Sequence, residues 1–389
     1  MKVLVLATHN FYLERGTPIA TDLLLRAFSE MGFDTHALVY PSGEERAYPG
    51  VTIHRCGGPK ALREVGPGFS PKKLALDVWF YAAARKLVKQ LKPDVVHANE
   101  ESVFMARWMK LWGGRPYVYD MDSSLAQQLV EKHGVLKVLA PVFNGMEGWA
   151  VRGAEAVAAV CPALTELAER RGGKRVLTVH DVSQMSAEDF VPTGEVREKL
   201  ALGDAPGVVY VGNLEPYQGV ELLVDSMVEA TCRVPEGKLV VAGGKPAAIE
   251  KLRARAEAKG VGGAVHFLGR WPLAKLGSLL AEFEVVASPR VRGVNTPMKV
   301  FPYLHSGRAL LATDLPTHRQ SLSDAVACLA PPEPEALGAA LGELWADPGR
   351  RERLGAAGRA FIEAEHTYPA HLRRIRELYE GLSSYAGDP

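Results

Sequence analysis

Short apolar runs alternate with longer amphipathic stretches, and the alternation happens twice along the chain. The runs at 2–7, 35–40, 51–55, 94–98, 115–119, 156–160 and 175–179 are too continuously apolar for half-exposed strands. They read as strands buried on both faces of a parallel sheet. Ile19, Leu23, Leu24, Ala27 and Phe28 fall on one face of a helix, and residues 71–91 form a long amphipathic helix closed by Lys92-Pro93. From 180 to 207 the periodicity is lost and Pro192, Gly194 and Pro206 appear. It then restarts with runs at 208–211, 238–242, 265–268, 285–288, 309–312 and 327–330. The pattern predicts an α/β protein of two facing, doubly wound Rossmann-like domains with a central cleft, residues 1–190 and 207–368. After Leu354 only helix is expected, broken by Pro369.

Composition narrows the function. At 389 residues the chain is long enough for two domains, and a net charge of +1 gives nucleic acid no general attraction. The four cysteines are far apart and, with the eleven histidines, show no metal-ligand spacing. Isolated cysteines of this kind fit a reducing, cytoplasmic setting. No apolar run reaches 18 residues, so no membrane span is expected.

Candidate chemistry lies where strands end, since open α/β sheets place ligands beyond the carboxyl ends of their strands. In the first half those residues are His97, Asn99, Asp120 and Asp122, with strand-end capping as the alternative reading. For Asp122 the alternative is a helix cap shared with Ser123 and Ser124. The loop Arg15-Gly16-Thr17-Pro18 follows the first strand but lacks the G-x-G-x-x-G spacing of a dinucleotide site. In the second half, 290–299 (RVRGVNTPMK) offers Thr296 as an N-cap and Pro297 at a first helical position, with Asn295, Arg290, Arg292 and Lys299 around the same mouth. That is a phosphate site in outline, or an ordinary helix start with solvated cations.

Four segments carry a family resemblance: Pro93-Asp-Val-Val-His-Ala98, Tyr210-Val-Gly212, Pro297-Met-Lys299 and 306–316 (SGRALLATDLP). In this order, spanning nearly the full length, they resemble the retaining glycosyltransferases of family 4, which have the GT-B fold. The resemblance implies a nucleotide-sugar donor on the second domain and a carbohydrate or lipid-linked acceptor on the first. It also implies a last helical segment, 369–389, packed back on the first domain, and no metal or cofactor, because cations and helix N-termini neutralise the leaving diphosphate. Lys299 and Arg290 would bind that phosphate, with the backbone of Gly16 and Thr17 approaching it. Asp122, His97 and Asn99 would lie toward the sugar or acceptor. The leaving phosphate itself would take the acceptor proton, so no enzyme nucleophile is required.

The chain departs from the family at the residues that matter most. After Val211-Gly212 the family commonly has Arg, and before Gly219 commonly Lys; here they are Asn213 and Gln218. A Glu that binds the ribose hydroxyls is replaced by Pro302, and a His near the transferred sugar by Asp122. Two lost cations remove two charge-assisted hydrogen bonds of about 1.5–3 kcal/mol each. The departures admit a nucleotide-sugar with rearranged contacts, a sugar-phosphate or lipid-phosphate-sugar donor, or a non-catalytic glycan- or partner-binding homologue. A proline inside the helix after Lys299 would kink it, unless that helix is shorter than the pattern suggests. Finally, Lys72, Lys73, Trp79, Tyr81, Arg85, Lys86, Lys89 and Lys92, then Arg107, Trp108, Lys110 and Trp112, form a basic, aromatic surface on the first domain. It reads as contact with the inner face of an anionic membrane, or as core aromatics beside a solvated lysine face.

Overall fold

The computed structural model describes residues 1–13, 16–62, 70–126 and 138–382. Arg15, of the loop after the first strand, lies outside them. The chain divides into two compact units, Met1–His180 with His371–Pro389, and Asp181–Ala370. Residues 181–206, expected as a connection, belong to the second unit, where Phe190, Val196 and Leu202 join its core.

The first unit is a seven-stranded parallel sheet. In chain order it holds β1 (Lys2–Ala7), α1 (Gly16–Glu30), β2 (Asp34–Val39), β3 (Val51–Arg55), α2 (Pro71–Leu91), β4 (Val95–Asn99) and α3 (Ser102–Leu111). There follow β5 (Tyr117–Met121), α4 (Ala140–Gly153), β6 (Ala156–Ala159), α5 (Pro162–Arg170) and β7 (Val176–Thr178). The strand order is β3-β2-β1-β4-β5-β6-β7, so it reverses between β1 and β4. α2 starts where Ser70 accepts from Lys73 N–H and Pro71 fills the first turn, and it ends at Lys92 in the left-handed region. One sheet face packs Leu76 and Phe80 of α2, Val103 of α3, Val151 of α4 and Leu164 of α5. The other packs Leu24 and Phe28 of α1 with Ile375, Leu378 and Tyr379 of the last helix.

The second unit begins with α6 (Glu195–Lys199) and repeats the plan: β8 (Gly207–Val211), α7 (Val220–Arg233), β9 (Lys238–Ala242), α8 (Pro246–Ala258), β10 (Val265–Gly269) and α9 (Leu276–Ala281). It continues through β11 (Val285–Ser288), α10 (Val300–His305), β12 (Ala309–Thr313), α11 (Pro316–Arg319), β13 (Cys328–Ala330), α12 (Pro334–Ala346) and α13 (Pro348–Glu365). Its six parallel strands run β10-β9-β8-β11-β12-β13, reversing between β8 and β11. α14 (Tyr368–Glu380) closes the chain, and from His371 onward it belongs to the first unit. Pro369 sits in its first turn, where it costs no hydrogen bond.

Two expectations fail around residue 300. No helix begins at Thr296: its hydroxyl bonds Ser321 Oγ at 2.8 Å, Met298 and Lys299 form a turn, and α10 starts at Val300 with only six residues. The first amides of α10 are already taken, Val300 N–H by Pro297 O at 3.0 Å and Phe301 N–H by Met298 O at 3.4 Å. Any attraction for an anion here therefore comes mainly from side chains. Pro302 does not interrupt the helix either, because it stands in the first turn, where an N–H has no intrahelical acceptor.

Candidate functional site

In doubly wound sheets the ligand crevice lies where strand order reverses. In the second unit that point is flanked by the loops after β8 and β11, and the predicted donor residues gather there. Lys299 Nζ donates to Tyr210 Oη at 2.8 Å and to Gln218 Oε1 at 3.0 Å, and stands 4.0 Å from the Tyr210 ring centroid. Tyr210 Oη gives its own proton to Asn213 O at 2.6 Å, which leaves its lone pairs for the ammonium. Both partners of Lys299 are neutral. Burial, then the neighbouring Arg290 guanidinium, hold its ammonium well below the usual lysine range.

Glycines make room for this ammonium. A Cβ on Gly212, at φ 154°, would come within 2.7 Å of Lys299 Nζ, and one on Gly219, at φ 72°, within 1.8 Å of Pro289 O. Gln218 is buried in the 3-10 turn Pro216–Gln218 with its carbonyl toward Lys299, whereas Asn213 is exposed and takes Glu215 N–H on its Oδ1 at 3.2 Å. Arg290 is 8% exposed and faces its own loop, with Nε on Arg292 O at 2.7 Å and its terminal nitrogens on Asn295 O at 3.1 Å and Asn295 Oδ1 at 3.3 Å. It positions the 290–299 loop. Asn295 is held further by Thr317 Oγ1 on its carbonyl at 2.7 Å. Beneath, His318 bridges Ser288 Oγ at 2.9 Å and Thr313 O at 2.8 Å, and burial lowers it to about 4.

In the first unit the reversal lies between β1 and β4. Gly16 and Thr17 open α1 after β1, where N–H groups lack helical acceptors, and a Cβ on Gly16 would meet nothing within 4 Å. The strand-end polar residues form one network. Asn99 Nδ2 donates to Asp120 Oδ2 at 3.0 Å and to Asp122 Oδ2 at 3.4 Å. His97 is fully buried, with Nδ1 2.8 Å from Tyr379 Oη and Nε2 3.2 Å from Asp120 Oδ2. It thus supports Asp120 from below and offers no surface to a ligand. Asp122 is half-exposed, and the Leu125 N–H beyond it is met by Glu147 Oε1 at 2.8 Å.

Residues that periodicity did not single out surround this network. Glu100, at φ 51°, accepts from Ser123 Oγ at 2.9 Å and is pushed up to about 8 by burial and by Glu101. Lys73 pairs with Glu101, and Asp77, raised to about 6 by burial, accepts from Tyr40 Oη at 2.5 Å. The adjacent acids in Asn99-Glu-Glu101 were the visible signal for the first two. Tyr379 carried none, being 282 residues from His97. Among the described residues, no group of three His, Cys, Asp or Glu side chains is placed to hold a metal ion.

The model named "Glycosyl transferase 4-like domain" matches residues 15–180, and "Glycosyl transferases group 1" matches residues 205–347. The chain is similar to the GDP-mannose-dependent alpha-(1-6)-phosphatidylinositol monomannoside mannosyltransferase of Mycolicibacterium smegmatis, 27% identical over 203 residues. That alignment covers 50% of this chain and 53% of the relative, so the match spans about half of the relative's length. Sucrose-phosphate synthase from Thermosynechococcus elongatus superposes with a TM-score of 0.80 at 18% identity, covering 98% of this chain and 99% of that one. Anabaena HepE in complex with UDP does so with a TM-score of 0.76 at 16% identity, covering 99% and 100%. At such identities the structural likeness is one of fold. With a glycosyltransferase model on each unit and the same fold along nearly its whole length, the chain belongs to the glycosyltransferases of the GT-B fold.

Proposed function

We propose that the protein transfers a sugar, with retention of configuration and without a metal ion, from a nucleotide-sugar to a carbohydrate or lipid-linked acceptor. The observation that carries this reading is Lys299: an ammonium at the reversal point of the second sheet, desolvated, whose hydrogen-bond partners among the described residues are a hydroxyl and an amide oxygen, both neutral. A group in that state gains most from an incoming anion, and the diphosphate of a nucleotide-sugar supplies one. The relatives' names support the class of donor, since one is GDP-mannose-dependent and HepE holds UDP.

In this mechanism Lys299 binds the leaving phosphate, and the loop held by Arg290 keeps Asn295 and Thr296 beside it. The amides of Gly16 and Thr17 serve phosphate or sugar from the first unit. Asp122, oriented by Asn99, accepts hydrogen bonds from sugar hydroxyls, and the departing phosphate removes the acceptor proton. The residues position groups and stabilise charge; none forms a covalent intermediate.

One observation favours a second reading. At position 218, where the resemblance leads one to expect a cation, Gln218 turns an acceptor oxygen toward Lys299. That arrangement suits a donor with a single phosphate, such as a sugar-phosphate or lipid-phosphate-sugar. Thermal shift against UDP, GDP, ADP, their sugars and simple sugar phosphates separates the two. Stabilisation of about 2.7 kcal/mol at a hundredfold excess over Kd is expected for the true donor class. A response to sugar phosphates with none to nucleotides would replace the first reading by the second.

A further inference from the structure

The outer face of the first unit's helical layer has a composition that sugar transfer does not use. α2, α3 and α4 lie side by side on one face of the sheet, sharing one core. α3 and α4 meet through Trp108 and Trp149, whose rings are 5.9 Å apart, and the N-termini of α2 and α3 meet through the Lys73–Glu101 pair. Away from that core stand large apolar side chains: Trp112 is 80% exposed, Trp108 51% and Trp79 44%, with Leu111, Val142 and Met146 also exposed. The choice posed for the aromatic stretch of α2 therefore splits, with Phe80 in the core, Tyr81 packed at its edge and Trp79 outside.

Charge on these helices has one sign. They carry eight Lys and Arg and two carboxylates. Of the two, Asp77 is bonded by the buried Tyr40, and Glu147 is fully buried. Arg85, Lys86, Lys89 and Arg152 are exposed.

We propose that this face docks on an anionic lipid surface, with the tryptophans at headgroup depth and the cations against lipid phosphates. Two alternatives fit less well. Lysine is depleted in protein interfaces, and here it dominates the polar part. A second copy meeting the first about a twofold axis would set this cationic face against itself. The inference goes beyond the transfer reading and is independent of donor and acceptor, because docking requires neither.

Co-sedimentation of the full chain with vesicles tests it. Expected is binding to phosphatidylcholine vesicles carrying about 30% phosphatidylglycerol, weakened at high salt, and little binding to phosphatidylcholine alone. Substituting Lys86→Gln and Lys89→Gln together should weaken partition about fivefold per cation removed. Trp112→Ser should reduce it further without unfolding, as that ring is 80% exposed. Val228→Ser, an exposed valine on α7 of the second unit, should bind as wild type. Absence of binding to anionic vesicles, or undiminished binding by the tryptophan variant, would overturn the proposal. So would a dimer in sedimentation velocity that the tryptophan variant disperses, since the face would then be an interface between copies.

Discussion

The two sheets reverse strand order in the same way, yet their carboxyl edges carry opposite chemistry. The first gathers Asp120, Asp122, Glu100 and Glu101, and burial, then the neighbouring Glu101, push Glu100 up to about 8. The second gathers Lys299 and Arg290 around neutral Tyr210 and Gln218, and the same combination of burial and like charge pushes Lys299 down. Each edge drives its central group toward neutrality. The consequences differ: a carboxylate edge suits hydroxyl-rich ligands, whereas a desolvated cation is completed by an anion. The shared fold supplies the position, and the side chains decide what occupies it.

The largest expected effect breaks the second edge by its backbone. Gly219→Val places a branched side chain at φ 72° against Pro289 O, and should cost about 3 kcal/mol or more along with nucleotide binding. Gly16→Ala in the first unit meets open space and should change stability by less than about 0.5 kcal/mol. Equal melting temperatures for the two variants would remove the contrast. Next, Asp122→Ala should lower transfer about 10–100-fold while nucleotide affinity, measured calorimetrically, stays unchanged. Loss of nucleotide affinity would assign Asp122 to the wrong ligand. Gln218→Lys sharpens the comparison in the other direction: it should tighten a nucleotide diphosphate about tenfold and lower the melting temperature of the unliganded protein, where two ammonium groups would face each other.

A separate effect is in pH. Glu100 titrates near 8 when folded, above its unfolded value, so unfolding releases its proton between about pH 4.5 and 8 and stability falls as pH rises across that window. Glu100→Gln should flatten that limb of a melting-temperature profile. His9, His318 and His371 are lowered to about 4 by burial, so their contribution is lost as pH falls from 6.5 toward 4, and the substitution should leave that acid limb in place.

Much of this was legible beforehand because buried parallel strands announce themselves as continuous apolar runs. The thirteen strands among the described residues lie within two residues of the runs at either end, and α2 spans the predicted 71–91. His97, Asn99, Asp120 and Asp122, chosen only as strand ends, proved to share one network. What failed was local capping logic at Thr296, whose hydroxyl went to Ser321, a partner 25 residues away that no helix-start rule contains. Tyr210 and Tyr379 were invisible for the same reason. Each reads as a core aromatic, and its hydroxyl finds a polar partner only through tertiary packing.

The central claim is that Lys299 awaits a phosphate, and calorimetry of nucleotide binding to the wild type and to Lys299→Met tests it most directly. Lys299→Met should weaken affinity for the responsive nucleotide by about 10–100-fold while keeping the unliganded fold. Unchanged affinity in the methionine variant would contradict the account.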